Sequence, residues 1–256
     1  MLLPISDDDR ALTRRAIITP TLVALNILVF VVFQGLGANI EFSNGYSVVP
    51  YELSTGQDLT VPQAMVYAGE RVDVYHAPGP TPIYLTLLTS MFMHGGFMHL
   101  AGNLLFLWIF GDNVEHRFGR RAFLGFYLLS GVAGALAQIV LAPDSIIPML
   151  GASGAISGVM GAYLVLFPKN RVHVLFFFAV LSLPAVIVLG LWIAFQIFEG
   201  LGANPYGGGV AYAAHIGGFV AGVVAGLLVR TRVKGERANV LTRTARSDPY
   251  RQRRFY

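Results

Sequence analysis

The 256-residue sequence contains no cysteine and few charged side chains. Without cysteine, the chain cannot form a disulfide bond, use a thiol nucleophile or bind a metal through thiolates. Charged residues make up only 12% of the chain, whereas hydrophobic residues make up 55%. The charges lie in short blocks between long apolar runs, which is typical of a polytopic membrane protein and not of a soluble domain. We therefore predict an all-α polytopic membrane protein.

Six apolar segments are candidate membrane spans. A hydropathy window of about 19 residues selects 17–36, 97–111, 121–141, 153–168, 183–199 and 211–229. The second and fourth are shorter than the ~20 residues that a straight crossing needs. Pro184 divides the long apolar stretch 172–199, because proline removes a helix hydrogen bond. We expect 172–182 to lie at the membrane interface, and the first span to be retained because no signal-peptide cleavage site follows it.

The lysines and arginines predict the orientation of these spans. With six spans and both termini inside, the cytoplasmic pieces are 1–16, 112–120, 169–182 and the tail from 230. Together with Arg121 at one boundary, they hold seventeen of the 18 basic residues, and only Arg71 lies elsewhere. This distribution follows the positive-inside rule. The predicted organisation is a cytoplasmic segment 1–16, a six-helix membrane domain 17–229 and a basic cytoplasmic tail 230–256.

The segments outside the spans suggest partners and a movable element. A basic tail beside a membrane span is attracted to anionic headgroups, so we expect membrane lipids as partners of 230–256. No nucleic-acid-binding motif accompanies the tail, and we expect no nucleic acid. On the other side, 37–83 is predicted to be a structured, partly membrane-lying loop. Three successive glycines make the loop 200–210 pliable, which suits a lid.

Ser153 lies between glycines at the start of the short fourth span. About 15 helical residues extend roughly 22 Å, which is less than the ~30 Å hydrocarbon core. A helix anchored near Lys169 would therefore begin at Ser153 below the outer membrane edge, beside a water-filled cavity or inside protein. The free N–H groups at a helix start favour developing negative charge. Alternatively, Gly151, Gly154 and Gly158 form a small-residue face for helix packing, and both interpretations can hold together.

His215 lies near the start of the sixth span. Gly218, Gly222 and Gly226 follow at four-residue spacing and form a ridge for close contact with another small-residue helix. Contact between this ridge and the glycines of the fourth span would set Ser153 against His215. A hydroxyl and an imidazole are the minimum parts of an activated serine nucleophile. The alternative is a buried histidine that is hydrogen-bonded for structural reasons.

A third group of polar residues lies at the outer end of the second span. His99 and Asn103 are four residues apart and therefore share one helix face. Their side-chain donors, converging with the Ser153 N–H, would form an oxyanion hole. His94 either joins this group at the substrate or anchors the chain at the membrane interface.

Together these motifs resemble the rhomboid family of intramembrane serine proteases. The motifs are His-x4-His-x3-Asn at 94–103, Gly-x-Ser-Gly at 151–154 and Ala-His-x2-Gly-x3-Gly at 214–222. The resemblance extends over about 17–229 and implies a six-helix rhomboid-like bundle. It also implies a Ser–His dyad with no acidic third member, no metal and no cofactor. The implied roles are nucleophile for Ser153, general base for His215, oxyanion binding for His99, Asn103 and the Ser153 backbone, and shaping of the site for Gly151.

The same resemblance implies a biological setting. The expected substrates are single-span transmembrane proteins, cleaved near their outer membrane end, and the expected location is a bacterial plasma membrane.

Two positions depart from the bacterial pattern. Leu85-Thr86 replaces a Trp-Arg pair, and Ser157 replaces an aromatic residue that often supports the base. The alternatives are a catalytically inactive relative that binds membrane helices and, as the weaker alternative, a transporter. The oligomeric state stays open.

Overall fold

A computed structural model describes residues 3–8, 15–67 and 69–247 of this chain. The described part is mostly helical, with two small β-sheets. The helices are α1 (Ile18–Leu28), α2 (Ile40–Gly45), α3 (Pro50–Thr55), α4 (Thr86–Thr89), α5 (Phe97–Phe118), α6 (Arg120–Leu141), α7 (Ser153–Leu166), α8 (Ala185–Gly202) and α9 (Tyr212–Ser247). The strands are β1 (Leu3–Asp7), β2 (Gln63–Tyr67), β3 (Glu70–Val74), β4 (Arg171–Phe176) and β5 (Ala179–Pro184).

Several of these helices are suited to a bilayer. Three are long and apolar enough to cross a membrane, namely α6, α8 and the part Tyr212–Arg230 of α9, within the described chain. A fourth crossing results if Ile83–Phe92 and α5, which are bent by 79°, count as one span. α7 and the stretch Ile18–Phe33 are shorter apolar helices. Large apolar side chains such as Leu129 and Leu201 point outward and are mostly exposed, as expected of surfaces that face lipid. The chain is a multi-pass membrane protein, and the count of six spans stays a prediction.

Some helix boundaries differ from the predicted spans. α5 continues to Phe118 and α6 begins at Arg120, so Gly119 alone remains of the predicted loop 112–120. Gly119 has φ +78°, a backbone conformation that favours glycine. α9 also continues without a break past the predicted domain boundary at 229. The end of the basic tail, 248–256, lies outside the described residues.

The two sheets correct the expectation of a purely helical fold. The segment 172–182, predicted to lie at the interface, forms most of the antiparallel β4–β5 hairpin, and β1 pairs with β4 to complete a three-stranded sheet. β2 and β3 form a second hairpin inside the loop 37–83. Val172 and Val174 are fully buried while their neighbours along β4 are not, which is the two-residue alternation of a strand. A 19-residue hydropathy window averages over such a short alternation and cannot detect it.

Two carboxylates, the buried Glu115 and the partly buried Asp7, join the N-terminal segment to one end of the bundle. Glu115, near the end of α5, accepts hydrogen bonds of 2.8–3.0 Å from the N–H groups of residues 17–19. These N–H groups lie at the start of α1 and have no acceptor within the helix, and a negative charge is stabilising there. Asp7 of β1 accepts a hydrogen bond from the Tyr163 hydroxyl of α7. The start of α1, the ends of α5 and α7, and the three-stranded sheet therefore lie together.

α7 and α9 pack backbone against backbone at the centre of the molecule. A Cβ atom at Gly218 would overlap the carbonyl oxygen of Gly154, and one at Gly222 would overlap that of Gly158. Only glycine at these positions permits so close an approach. The contact brings the first turn of α9 beside the first turn of α7.

Candidate active site

Ser153 and His215 meet at the starts of α7 and α9. The Nε2 atom of His215 lies 2.8 Å from the Oγ atom of Ser153, which is hydrogen-bonding distance. Ser153 is the first residue of α7, whose first N–H groups have no acceptor within the helix. The predicted nucleophile and base are thus in contact, beside the free N–H groups of a helix start.

The other ring nitrogen of His215 contacts Gln196 of α8, a residue that the sequence analysis did not single out. The distance from Nδ1 to the Gln196 Oε1 atom is 2.7 Å. Because the Gln196 Oε1 atom can only accept a hydrogen bond, Nδ1 carries the ring hydrogen and donates it, which leaves Nε2 free to accept from the Ser153 hydroxyl. The Trp192 ring lies 6.0 Å from the imidazole, at an angle of 34°. The sequence did carry a signal for Gln196, because an amide inside the apolar segment 183–199 is costly in a membrane and often functional.

Ser157 does not take the place of the supporting aromatic residue. Its hydroxyl donates a hydrogen bond of 2.6 Å to the carbonyl oxygen of Ser153, one turn earlier on the same helix. It is fully buried in α7. Besides Ser153, the side chains that contact the imidazole of His215 are Gln196 and Trp192, and both come from α8.

Two potential oxyanion donors flank the serine. The Asn103 amide nitrogen is buried and has no hydrogen-bond partner among the described residues, although Asn103 lines the cavity above Ser153. The Nδ1 atom of His99 accepts a 3.3 Å hydrogen bond from the Gly95 N–H, so its hydrogen resides on Nε2. Both side chains can therefore donate to a group bound next to Ser153.

Gly151 permits the approach of His99 to this site. Its φ of +134° is strained for any residue with a side chain. A Cβ atom at this position would lie 2.9 Å from both Cε1 and Nε2 of the His99 ring. The glycine therefore allows the imidazole to lie directly against the backbone that precedes Ser153.

His94, predicted beside His99 as a substrate contact, lies behind it. Its ring is buried and meets the His99 ring edge-on, with centroids 5.2 Å apart. His94 is not among the described residues that line the cavity. Its backbone N–H and carbonyl both bond to the side chain of Gln34, at 2.9 and 3.0 Å. The structure thus places His94 behind His99 and outside the cavity lining, and its contact with substrate stays a prediction.

A cavity of about 620 Å³ opens over the dyad. Its floor includes Ser153 and His215, and its walls include parts of 145–150 and of the glycine-rich loop 200–210. This volume lies in the range of pockets that bind small ligands or short peptide segments. Among the described residues, no group of three or more His, Cys, Asp or Glu side chains is placed to hold a metal ion.

Comparison with known proteins identifies the family. The family model for the Rhomboid domain matches residues 82–232, which is more than half of the chain and includes Ser153, His215, Gln196, His99 and Asn103. The chain belongs to the rhomboid family. Its relatives include rhomboid proteins of bacteria and eukaryotes.

Three rhomboid relatives illustrate the range. The chain is 35% identical over 169 residues to the mitochondrial Rhomboid protein 1 of Saccharomyces cerevisiae, covering 63% of this chain and 46% of the relative. It is 36% identical over 139 residues to the Rhomboid protease GluP of Bacillus subtilis, covering 54% and 25%. It is 31% identical over 147 residues to the RHOMBOID-like protein 5 of Arabidopsis thaliana, covering 57% and 44%. The matched region thus spans less than half of the length of each relative.

Proposed function

We propose that this protein is an intramembrane serine endopeptidase that uses Ser153 and His215 as a catalytic dyad. The observation that carries the proposal is the 2.8 Å contact between Ser153 Oγ and His215 Nε2 at the start of a short apolar helix. Membership of the rhomboid family, which includes named proteases, supports the same activity.

The mechanism is acyl transfer. Nε2 of His215 takes the hydroxyl proton as Ser153 Oγ attacks a peptide carbonyl of the substrate. The tetrahedral intermediate collapses, the C–N bond breaks, and the imidazolium gives its proton to the leaving amine. A water molecule, activated by His215, then hydrolyses the ester and regenerates Ser153. Each proton removed by the base is returned, so the cycle needs no other reactant.

The oxyanion of the intermediate is bound by three donors. These are the Ser153 N–H at the start of α7, the amide of Asn103 and the Nε2–H of His99. The unpaired state of the Asn103 amide supports this role, because a buried donor without a partner is costly unless a ligand completes it. Such preorganised donors are often the largest single contribution to catalysis.

The substrates we propose are single-span membrane proteins. A site that begins at the N-terminus of a half-length helix is reached by a segment of substrate that leaves its helical conformation. The orientation we propose has both termini in the cytoplasm of a bacterial cell and six crossings. It is supported by the position of the N-terminal strand and the basic turn around Gly119 at the opposite end of the bundle from the dyad.

Reconstitution with a single-span reporter substrate tests the proposal. We expect wild-type protein to cleave the reporter and to react with a fluorophosphonate, and Ser153→Ala to do neither. His215→Ala should lower both rates by at least ~10²-fold. Gly125→Ala, on the open face of α6, is a matched control. Cleavage that survives Ser153→Ala would exclude the dyad, whereas binding of membrane helices without any cleavage would favour an inactive relative.

A further inference from the structure

Gln196 completes a three-residue chain of hydrogen bonds at the proposed dyad. Its Oε1 atom lies 2.7 Å from Nδ1 of His215, whose Nε2 lies 2.8 Å from Ser153 Oγ. The Gln196 side chain is only 7% exposed, and it lines the cavity. Both ring nitrogens of His215 therefore have partners, and these partners constrain the plane of the ring.

We propose that Gln196 is a positioning residue that holds His215 in the tautomer and orientation needed for catalysis. This inference rests on the proposed function. An imidazole can accept the serine proton through Nε2 only when Nδ1 carries the hydrogen, and an acceptor at Nδ1 selects that tautomer. A neutral amide does this without placing a carboxylate, which is expensive to bury, among the membrane spans.

The distance from Ser153 to His215 and the orientation of the His215 ring depend on different helices, so the two can be tested separately. The glycine contact between α7 and α9 sets the distance from Ser153 to His215, whereas Gln196 belongs to α8. Trp192, one turn earlier on α8, lies against the same imidazole. α8 therefore supplies two groups that limit rotation of the ring in addition to Ser153, and it contributes neither of the dyad residues.

The test compares three variants of the full-length protein in lipid. Gln196→Met keeps the length of the side chain and removes the acceptor. We expect kcat and the rate of fluorophosphonate labelling to fall together by about 10- to 100-fold, with KM unchanged within about three-fold, because only the base is affected. Gln196→Glu keeps a carbonyl acceptor and should restore most of the labelling rate. Asn26→Leu removes a buried amide of α1 that is not part of the cavity lining, and it should keep the wild-type rates.

The outcomes separate this inference from the proposed function. If wild-type protein neither cleaves the reporter nor reacts with the fluorophosphonate, the dyad itself is wrong. If the wild type is active and Gln196→Met matches it, Gln196 has no positioning role. A rise in KM with kcat unchanged would also overturn the inference, because Gln196 would then contact the substrate.

A separate feature is the aromatic tip of the β4–β5 hairpin, Phe176–Phe178. Phe178 is fully exposed and Phe177 is 74% exposed. Phe177 also has φ +52° in the two-residue turn, where glycine is the preferred residue. Backbone strain at a bulky side chain points to a function for that side chain.

The surroundings of the tip indicate what covers it. Val172 and Val174 pack into the helical core, so the sheet lies on the bundle and its tip extends away from it. The hairpin joins two apolar helices, α7 and α8, and Lys169 and Arg171 flank its base. Basic residues beside exposed phenylalanines are typical of segments that lie in the headgroup region of anionic membranes. We infer that Phe177 and Phe178 insert into the bilayer surface that surrounds the protein.

Because the chain has no cysteine, a single introduced cysteine can be labelled to test insertion of the hairpin tip. A fluorophore on Phe178→Cys in vesicles of anionic lipid should be quenched at least about three-fold more strongly by lipids spin-labelled near the headgroup than by aqueous iodide. The control is Asp73→Cys, whose native side chain is exposed beside Arg71, and it should show the reverse. Equal iodide quenching at both sites would overturn insertion.

Discussion

Replacement of Gly151 by alanine should disable the proposed oxyanion site, while its Cβ atom would make only an ordinary 3.6 Å contact with the Ser153 hydroxyl. The added Cβ atom would lie 2.9 Å from two atoms of the His99 ring, where ordinary carbon contacts are about 3.5–4.0 Å. The ring must therefore retreat by roughly 0.5–1 Å, which takes its Nε2–H out of the 2.7–3.1 Å range for an oxyanion donor. The backbone at φ +134° adds about 1–3 kcal/mol of strain.

Loss of one oxyanion donor costs about 10²–10³-fold in kcat, or roughly 2.7–4 kcal/mol. We therefore expect Gly151→Ala to lower kcat on a reporter substrate by that factor, with a small change in KM. Gly125→Ala is the matched control, since nothing lies within 4 Å of its Cβ position. It should keep the wild-type rate and, as a helical Gly→Ala change, slightly raise stability.

A double-mutant cycle with His99→Ala isolates the cause. If the alanine acts by displacing the ring, Gly151→Ala should cost little more in a protein that already lacks the imidazole. The coupling energy should then be about 2 kcal/mol or more. Additive losses would refute the reasoning, because the effect of Gly151→Ala would then be independent of His99.

Three further predictions concern stability. Gly222→Ala should lower the melting temperature in detergent and separate Ser153 from His215, because its Cβ atom would overlap the Gly158 carbonyl. An unchanged melting temperature would contradict the close contact of α7 and α9. Burial raises the pKa of the Glu52 carboxyl from its ordinary value of 4.5 to about 7. Its neutral form therefore stabilises the loop 37–83 fully below pH ~4.5, and this contribution is lost as the pH rises towards 7. Proteolysis of that loop should accelerate over this interval, and Glu52→Gln should flatten the profile. Asp7→Ala removes the acceptor of the Tyr163 hydroxyl and should speed proteolysis near the N-terminus, with Ser6→Ala as the control.

Periodicity and composition predicted the helical part of the fold well. Long apolar runs appear as α6, α8 and α9, and α8 begins directly after Pro184, as the helix-breaking property of proline predicts. The three-stranded sheet was missed because its strands are short and β1 pairs with a segment more than 160 residues away in sequence. Such pairing leaves no local signal.

The candidate site was predicted in part. The spacing of glycines around Ser153 and in the sixth span predicted the contact between α7 and α9, because small residues at helical spacing imply close packing. The burial of His94 behind His99 was not predicted, since a residue's depth behind a neighbouring ring depends on packing and not on spacing. Gln196 carried a signal in its polarity, but its partner was not evident from its position in the chain.

The sequence by itself determined that this protein lies in a membrane, that it is mostly helical and which residue types are available for chemistry. It could do so because hydropathy, charge and glycine spacing are local properties. Only the tertiary structure decided what each polar group contacts. The proton on Nδ1 of His215, the acceptor on Gln196 and the unpaired amide of Asn103 follow from distances between helices that are far apart in the chain. Hydrogen bonds require a separation near 3 Å, and packing of the whole bundle is what sets that separation.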